Sequence, residues 1–206
     1  MELHNKESYP KLCLDLLEEM SEKFPSHLTY HTIEHIIDVA NVCDHYIKEY
    51  KIQDDIARLI RIAAISHDYG YIFSPEEHEE RSIKELRPKL NGSFSDEDIE
   101  LINGMIRATK VPQKPKNFYE EIVADADLDY LGRDDYNELS ENLYQEFLHY
   151  GVVSNDEQWL ELQINFLESH QYHVSLALEN RTTKKQKKLS ELKNNRSGAS
   201  SDLAVG

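Results

Sequence analysis

Apolar residues recur at helical spacing along almost the whole chain, and no run alternates strictly between apolar and polar residues. Spacings of three and four residues place side chains on one face of an α-helix, whereas strict alternation is the pattern of a half-buried strand. Seven glycines and six prolines in 206 residues leave few points at which a helix must break. The pattern therefore predicts an all-α fold, a single-domain helical bundle.

Prolines and capping residues set the expected helix boundaries. The spacing predicts helices over 10–23, 32–50, 54–67, 76–87, 95–106, 117–131, 133–149 and 156–179. The helix over 54–67 is apolar on nearly every side, so we expect it at the centre of the bundle. Residues 1–27 are expected to supply a helix that packs on the main domain, which spans 28–180.

The charge of the chain is strongly uneven. Residues 181–206 carry seven cations and two anions, which leaves the first 180 residues with 16 cations against 37 anions. Because the first 180 residues are so acidic, they repel a phosphate backbone, and no nucleic-acid partner is expected. The composition of 181–206 is typical of a solvated, disordered basic tail, although an interaction protein that works through this tail is a separate hypothesis.

No segment approaches the roughly 20 apolar residues that span a bilayer, and the first 20 residues lack the pattern of a signal peptide. We therefore expect no membrane partner. Cys13 and Cys43 have no metal-type spacing and are interpreted as buried thiols in a reducing compartment. The sequence predicts a cytoplasmic protein and leaves its oligomeric state open.

Histidines and carboxylates stand in an order that chance seldom produces. His31 and His35 are four residues apart, so a helix would project both from one face. His67 and Asp68 end the most apolar helix, and 125–129 places three carboxylates in another largely apolar segment. Buried carboxylates are costly unless they are paired or metal-bound, and imidazoles with carboxylates are ligands for a divalent cation. Helix capping at the surface is the alternative explanation for these carboxylates.

These motifs resemble those of the HD superfamily of metal-dependent phosphohydrolases, over about 28–180. The superfamily's order of H, then HD, then a distant D is met by His35, His67, Asp68 and Asp127. The stretch 30–39, YHTIEHIIDV, is similar to the YHxxxHxxDV stretch of cyclic-nucleotide phosphodiesterases. Further agreement with a small bacterial subgroup of the superfamily comes from 65–71, 78–82, 108–115 and 124–132.

The resemblance implies a helical bundle of the HD-domain type that binds one divalent metal ion. The implied metal ligands are His35, His67, Asp68 and Asp127. Asp125 is the fallback ligand if the register is wrong by two residues. His31 is implied as the catalytic proton donor, and Asp68 or Asp127 as the acceptor of the proton from the attacking water. The donor set suits Mn, Fe, Co, Zn, Ni and, less well, Mg, which the sequence does not distinguish.

A second ion is a separate question. His78 and Glu79 lie where related proteins with two metals place a further histidine, so we expect them to touch a weak second ion or a water; a surface position for His78 is the alternative. Those relatives have another histidine where this chain has 108–110, Ala-Thr-Lys, which argues for one tight metal and against a di-iron oxygenase. Lys110 and Arg81 are candidates to contact a substrate phosphate, with solvated side chains as the alternative.

The resulting hypothesis is a metal-dependent phosphohydrolase that cleaves a small-molecule phosphate ester. A nucleotide is the expected substrate, and a cyclic-nucleotide phosphodiesterase is the narrower form of the hypothesis. A nucleotidase-type phosphomonoesterase is the nearest alternative and would depend less on His31. A non-catalytic nucleotide-binding module is the third. No phosphate-cradling glycine motif is present, so phosphate binding would rely on metal and side chains. Tyr71 is interpreted as core or rim, with stacking on a nucleobase as the alternative.

Overall fold

The computed structural model describes residues 2–202, with side chains through Arg196. Within this range the chain forms nine α-helices and no strand, so the predicted all-α fold is confirmed. The helices are α1 (Lys11–Lys23), α2 (Ile33–Glu49), α3 (Asp54–Ser66), α4 (His78–Leu90), α5 (Asp96–Thr109), α6 (Phe118–Asp127), α7 (Tyr136–His149), α8 (Asp156–Ser169) and α9 (Ser175–Asp202). Short 3-10 helices cover Lys6–Ser8, Tyr69–Ile72 and Asp129–Gly132.

The helices group into two compact units. The first runs through Leu128 and contains α1 to α6, and the second begins at Asp129 and contains α7 to α9. The boundaries expected from the sequence at 27/28 and 180/181 fall inside these units. No helix in the described part of the chain has both the length and the apolarity needed to cross a membrane.

In the first unit α3 is the central helix. It contacts α1, α2, α5 and α6, and nine of its 13 residues are buried. The central position expected from its apolar sides is therefore confirmed, because only a helix surrounded by others removes apolar residues on every side from water. As a consequence, the polar residues that directly follow α3 are carried into the interior.

Local signals explain several boundaries in this unit. Ser95 forms the expected capping box at α5: its hydroxyl accepts from the Asp98 amide at 3.1 Å, and the Asp98 carboxylate accepts from the Ser95 amide at 3.3 Å. Asn117 caps α6. The end of α4 differs from the expectation of a helix over 76–87, since α4 runs to Leu90 with Pro88 in its last turn. A proline there removes one helical hydrogen bond without ending the helix.

The second unit is built on contacts of α8 with α9 and of the 3-10 turn Asp129–Gly132 with α9 and α7. The single helix expected over 156–179 is two helices, because α8 ends at Ser169 and α9 begins at Ser175. Neither glycine nor proline marks this break in the sequence. Tyr172 and Val174 in the connection are buried, so tertiary packing overrides the helical spacing there.

The disordered tail expected over 181–206 is wrong for the residues through Asp202, which continue α9. Most of its cations pair with carboxylates of the same unit, as in Arg181 with Asp129, Lys184 with Asp134, Lys193 with Glu168 and Arg196 with Glu161. These pairs neutralise the charge on which the prediction of a solvated tail rested, and they reduce the unpaired charge available to a polyanionic partner. Residues 203–206 lie outside the described part.

Candidate metal centre

The side chains that the resemblance implied as metal ligands come together at helix ends in the first unit. His35 lies in the first turn of α2, and His67 directly follows α3 with Asp68 beside it. Asp127 is the last residue of α6. Because α2, α3 and α6 all contact one another, their ends bring these four residues to one place.

The distances define a compact group. The ligand atoms of His35, His67 and Asp127 all lie within 4.8 Å of one another. The two Nε2 atoms are 3.4 Å apart, and Asp127 Oδ1 is 3.2 Å from that of His35 and 3.4 Å from that of His67. Asp68 Oδ2 is 3.2 Å from His67 Nε2 and 3.5 Å from His35 Nε2. Two imidazole nitrogens and two carboxylate oxygens therefore face one small volume.

The hydrogen bonds of this group fit a bound cation. His67 Nδ1 lies 2.9 Å from the Ala64 carbonyl oxygen, which can only accept, so Nδ1 carries the proton and Nε2 presents its lone pair when the ring is neutral. Asp68 Oδ2 is buried and accepts no hydrogen bond from the described residues, although His67 Nε2 is close. A buried carboxylate oxygen without a donor is costly unless a cation neutralises it. The buried His-His-Asp group can therefore hold a metal ion.

The electrostatics keep the carboxylates ionised. Burial alone would raise the pKa of Asp127, but hydrogen bonds and charge from His35 and His67 bring it to about 2. Burial also opposes ionisation of Asp68, yet His67 and His78 hold its pKa well below the ordinary range. Burial would lower the pKa of His67, but the two carboxylates outweigh it and place that pKa well above the usual value. The group thus attracts positive charge, for which a metal ion competes with the proton.

Asp127, and not Asp125, supplies the carboxylate of this group. Two residues along an α-helix are separated by about 200° around its axis, so the two side chains leave α6 on nearly opposite faces. Asp125 is fully buried on its own face. The fallback ligand therefore lies outside this group.

At the start of α4, His78 and Glu79 approach the second oxygen of Asp68. His78 Nε2 is 3.3 Å from Asp68 Oδ1 and 3.4 Å from Glu79 Oε1. Its Nδ1 lies 3.1 Å from the Pro75 carbonyl oxygen, which orients the ring. Asp68 consequently directs Oδ2 toward His67 and Oδ1 toward His78, so each of its two oxygens faces a different imidazole. A second ion at this place stays a prediction.

His31 lies beside the group but not on the helix that carries His35. Thr32 caps α2, so the helix begins after His31, and the expectation that both imidazoles share one helix face is wrong. The ring centroids of the two histidines are nevertheless 5.9 Å apart. The Tyr71 hydroxyl oxygen is 3.1 Å from His31 Nε2, and the two rings stack with centroids 4.2 Å apart. Tyr71 therefore holds His31 in place from outside α2.

The environment of Tyr71 argues against stacking on a nucleobase. Its side chain is 7% exposed. Besides its stack on His31, its ring centroid lies 4.4 Å from that of His78. With contacts to both histidines, Tyr71 has little surface left for a ligand, so the structure supports its interpretation as a core residue.

The two candidates for a phosphate contact differ in their surroundings. Lys110 Nζ forms an exposed ion pair with Glu77 at 2.7 Å. Arg81 is half-buried in α4, one turn after His78. Its guanidinium pairs with no carboxylate in the described part of the chain. Of the two, Arg81 is thus the cation that remains available to an anionic substrate.

Sequence reasoning missed two residues that hold the turn after α3. The Ser82 hydroxyl donates to the His67 carbonyl oxygen at 2.7 Å and accepts from the Gly70 amide at 2.7 Å. A Cβ atom at Gly70 would lie 2.1 Å from the His78 carbonyl oxygen, so α4 approaches this turn closely. Both residues stand in stretches that carry the resemblance, but a contact between distant parts of the chain leaves no local pattern.

Comparisons with known proteins identify a similar fold but no family. No protein-family model matches the chain, and no curated protein matches its sequence. A solved structure with a similar fold is the crystal structure of a structural-genomics target from Lactobacillus plantarum. It has a TM-score of 0.63 and 15% sequence identity, and the match covers 92% of this chain and 99% of that one. At this identity the likeness concerns the fold alone.

Proposed function

We propose that this protein is a metal-dependent phosphohydrolase that cleaves a phosphate ester of a small molecule, with a nucleotide as the substrate. The convergence of His35, His67, Asp68 and Asp127 carries the proposal, because Asp68 Oδ2 is buried there without a hydrogen-bond donor. The resemblance of the same residues to the HD motif order supports it. The cyclic-nucleotide form of the proposal rests on the stretch 30–39 alone.

Each residue has a defined task in this chemistry. A divalent cation would supply Lewis acidity, which lowers the pKa of a water bound to it toward about 7. His35 and His67 would hold the cation through Nε2, and the ionised Asp68 and Asp127 would balance its charge. One of these carboxylates accepts a proton from the attacking water, whose oxygen bonds to phosphorus as the ester P–O bond breaks. His31 gives its proton to the leaving oxygen.

The chain must also neutralise the substrate phosphate. The first 180 residues are strongly acidic, so an anionic substrate requires a local positive charge besides the metal. Arg81 supplies that charge in this proposal, because its guanidinium has no carboxylate partner among the described residues. Lys110 is already engaged in an exposed ion pair with Glu77.

Metal content and turnover test the proposal together. The purified protein is expected to contain about one equivalent of a divalent metal, to lose turnover after chelation, and to regain it with one of Mn, Fe, Co, Zn, Ni or Mg. The reloaded protein is then offered linear nucleotides, cyclic nucleotides and nucleoside monophosphates, with chromatographic detection of the products.

The product pattern separates the hypotheses. Nucleoside monophosphate from cyclic substrates indicates a phosphodiesterase, and inorganic phosphate from monophosphates indicates the phosphomonoesterase alternative. Nucleotide binding without turnover on any substrate would instead favour the non-catalytic module. A chain that binds no divalent metal would overturn the proposal.

Tyr71→Phe is expected to lower kcat about tenfold, with KM and metal content unchanged. Phenylalanine keeps the ring stack but removes the hydroxyl that fixes His31, and one hydrogen bond of about 1.4 kcal/mol corresponds to that factor. Tyr119→Phe is the matched control, since Tyr119 is half-buried and its hydroxyl makes no hydrogen bond to the described residues. Equal kcat values for the two variants would contradict a positioning role for Tyr71.

A further inference from the structure

A polar cleft lies in the first unit, toward the start of α3. Its volume is about 490 Å³, and its walls are Ser8, Tyr9, Pro10, Asp54, Arg58 and Arg61. Arg61 precedes His67 by six residues, which corresponds to about 9 Å along a helix axis. None of the wall residues belongs to the histidine and carboxylate group. The cleft is therefore a separate feature of the same central helix.

Arg61 is a buried cation with unused donors. The residue is 8% exposed, and its Nε donates to Asp44 Oδ1 at 2.7 Å. Its two terminal nitrogens form no hydrogen bond with the described residues. The guanidinium carbon lies 5.5 Å from the centroid of the Tyr9 ring, which is another wall of the cleft. The pair with Asp44 anchors the side chain and leaves its outer edge for a ligand.

Arg58 adds a second guanidinium one turn earlier on α3. Its guanidinium carbon lies 4.7 Å from the centroid of the Phe94 ring. It forms no ion pair within the described range, although Asp54 stands four residues before it. Although the first 180 residues hold 37 anions and 16 cations, no carboxylate of the described residues neutralises this guanidinium in the cleft wall.

We infer that this cleft binds the anionic group of a small molecule, a carboxylate or a phosphate, between Arg58 and Arg61. Planar guanidinium groups bind both anions through paired N–H donors, and the volume lies in the range of small-molecule sites. Asp54 in the wall opposes a polyanion, so the ligand carries one acidic group. Tyr9 and Pro10 offer the surface for its less polar part.

Arginine side-chain NMR tests this assignment. Acetate and inorganic phosphate are added separately to the folded protein at constant ionic strength, with chloride as the reference anion. We expect saturable shifts of the Arg58 and Arg61 Nε–H signals with a millimolar Kd, and the anion that saturates at lower concentration identifies the chemistry. Arg58→Gln is expected to raise the Kd of the anion at least fivefold, as measured from the Arg61 Nε–H signal. Arg87→Gln, at an exposed arginine of α4, is the control and should leave the affinity unchanged.

The arginine Nε–H signals also distinguish binding in this cleft from binding at the proposed substrate site. A phosphate-dependent shift confined to Arg81 would contradict the cleft while supporting the proposed function. Shifts at Arg58 and Arg61 would support the cleft whether or not the chain hydrolyses any ester. Linear, unsaturated shifts, or an Arg58→Gln protein that binds as tightly as the parent, would overturn the inference.

Discussion

His67→Ala is expected to weaken divalent-metal binding at least about 100-fold, because replacing even a supporting partner of a metal ligand costs about 10- to 100-fold. The substitution removes one of the two Nε2 atoms that face each other at 3.4 Å. It also removes the imidazole that contacts both Asp68 and Asp127. The protein should then be purified with less than about a tenth of the parental metal.

Elemental analysis and competition with a chromophoric chelator measure this effect directly. His45→Ala is the matched control, since His45 is an exposed histidine on α2, the helix that also carries His35. It should bind metal with parental affinity. Circular dichroism of both variants shows whether the helices are intact, so that loss of metal is separated from loss of fold.

A second variant keeps this prediction testable if His67→Ala does not fold. Asp68→Asn preserves the size of the side chain but removes its charge, and the orphaned position of Oδ2 would then be occupied by a neutral amide atom. We expect it also to lose metal, and circular dichroism again shows whether the protein is folded. Parental metal affinity in a folded His67→Ala or Asp68→Asn protein would show that the group is not a metal site.

The sequence predicted most of the first unit because its signals are local. The apolar faces of α3, the capping box at Ser95 and the prolines after α5 act within one or two turns of chain. Such signals survive in the fold whenever packing agrees with them. The helical pattern places histidines and carboxylates at the ends of apolar helices, but the particular ligand set was implied by the resemblance to the HD motif order.

Errors arose where distant residues decide the outcome. The break between α8 and α9 follows from burial of Tyr172 and Val174, and the helix beyond 180 is favoured by ion pairs such as Arg181 with Asp129. The placement of His31 depends on Tyr71, 40 residues further along the chain. No spacing rule within a single segment contains these contacts.

Gly70→Ala is expected to lower the free energy of unfolding by about 3 kcal/mol, the upper part of the usual range for overpacking. Its new Cβ would lie 2.1 Å from the His78 carbonyl oxygen and 2.9 Å from its Cα. Both atoms belong to the backbone of α4, so no side-chain rotation relieves the contact. The start of α4 must move, and with it His78 and Glu79.

Gly104→Ala provides the comparison within the same unit. Its Cβ would meet Glu120 Oε1 at 2.6 Å, the end of a side chain that can rotate at the expense of its hydrogen bonds to Lys116 and Asn117. Alanine also gains about 1 kcal/mol over glycine inside a helix such as α5. Urea unfolding should therefore show a smaller loss for this variant than for Gly70→Ala.

The displacement of α4 has a consequence for the metal centre. His35 and Asp127 reside on α2 and α6, which do not carry the clash, whereas His78 lies at its centre. Gly70→Ala should therefore lose more turnover than metal, because the surroundings of Asp68 Oδ1 change while the group around Oδ2 keeps most of its ligands. A variant that matches Gly104→Ala in both stability and turnover would mean that the turn yields to the new methyl group, and that the start of α4 does not set the geometry of this site.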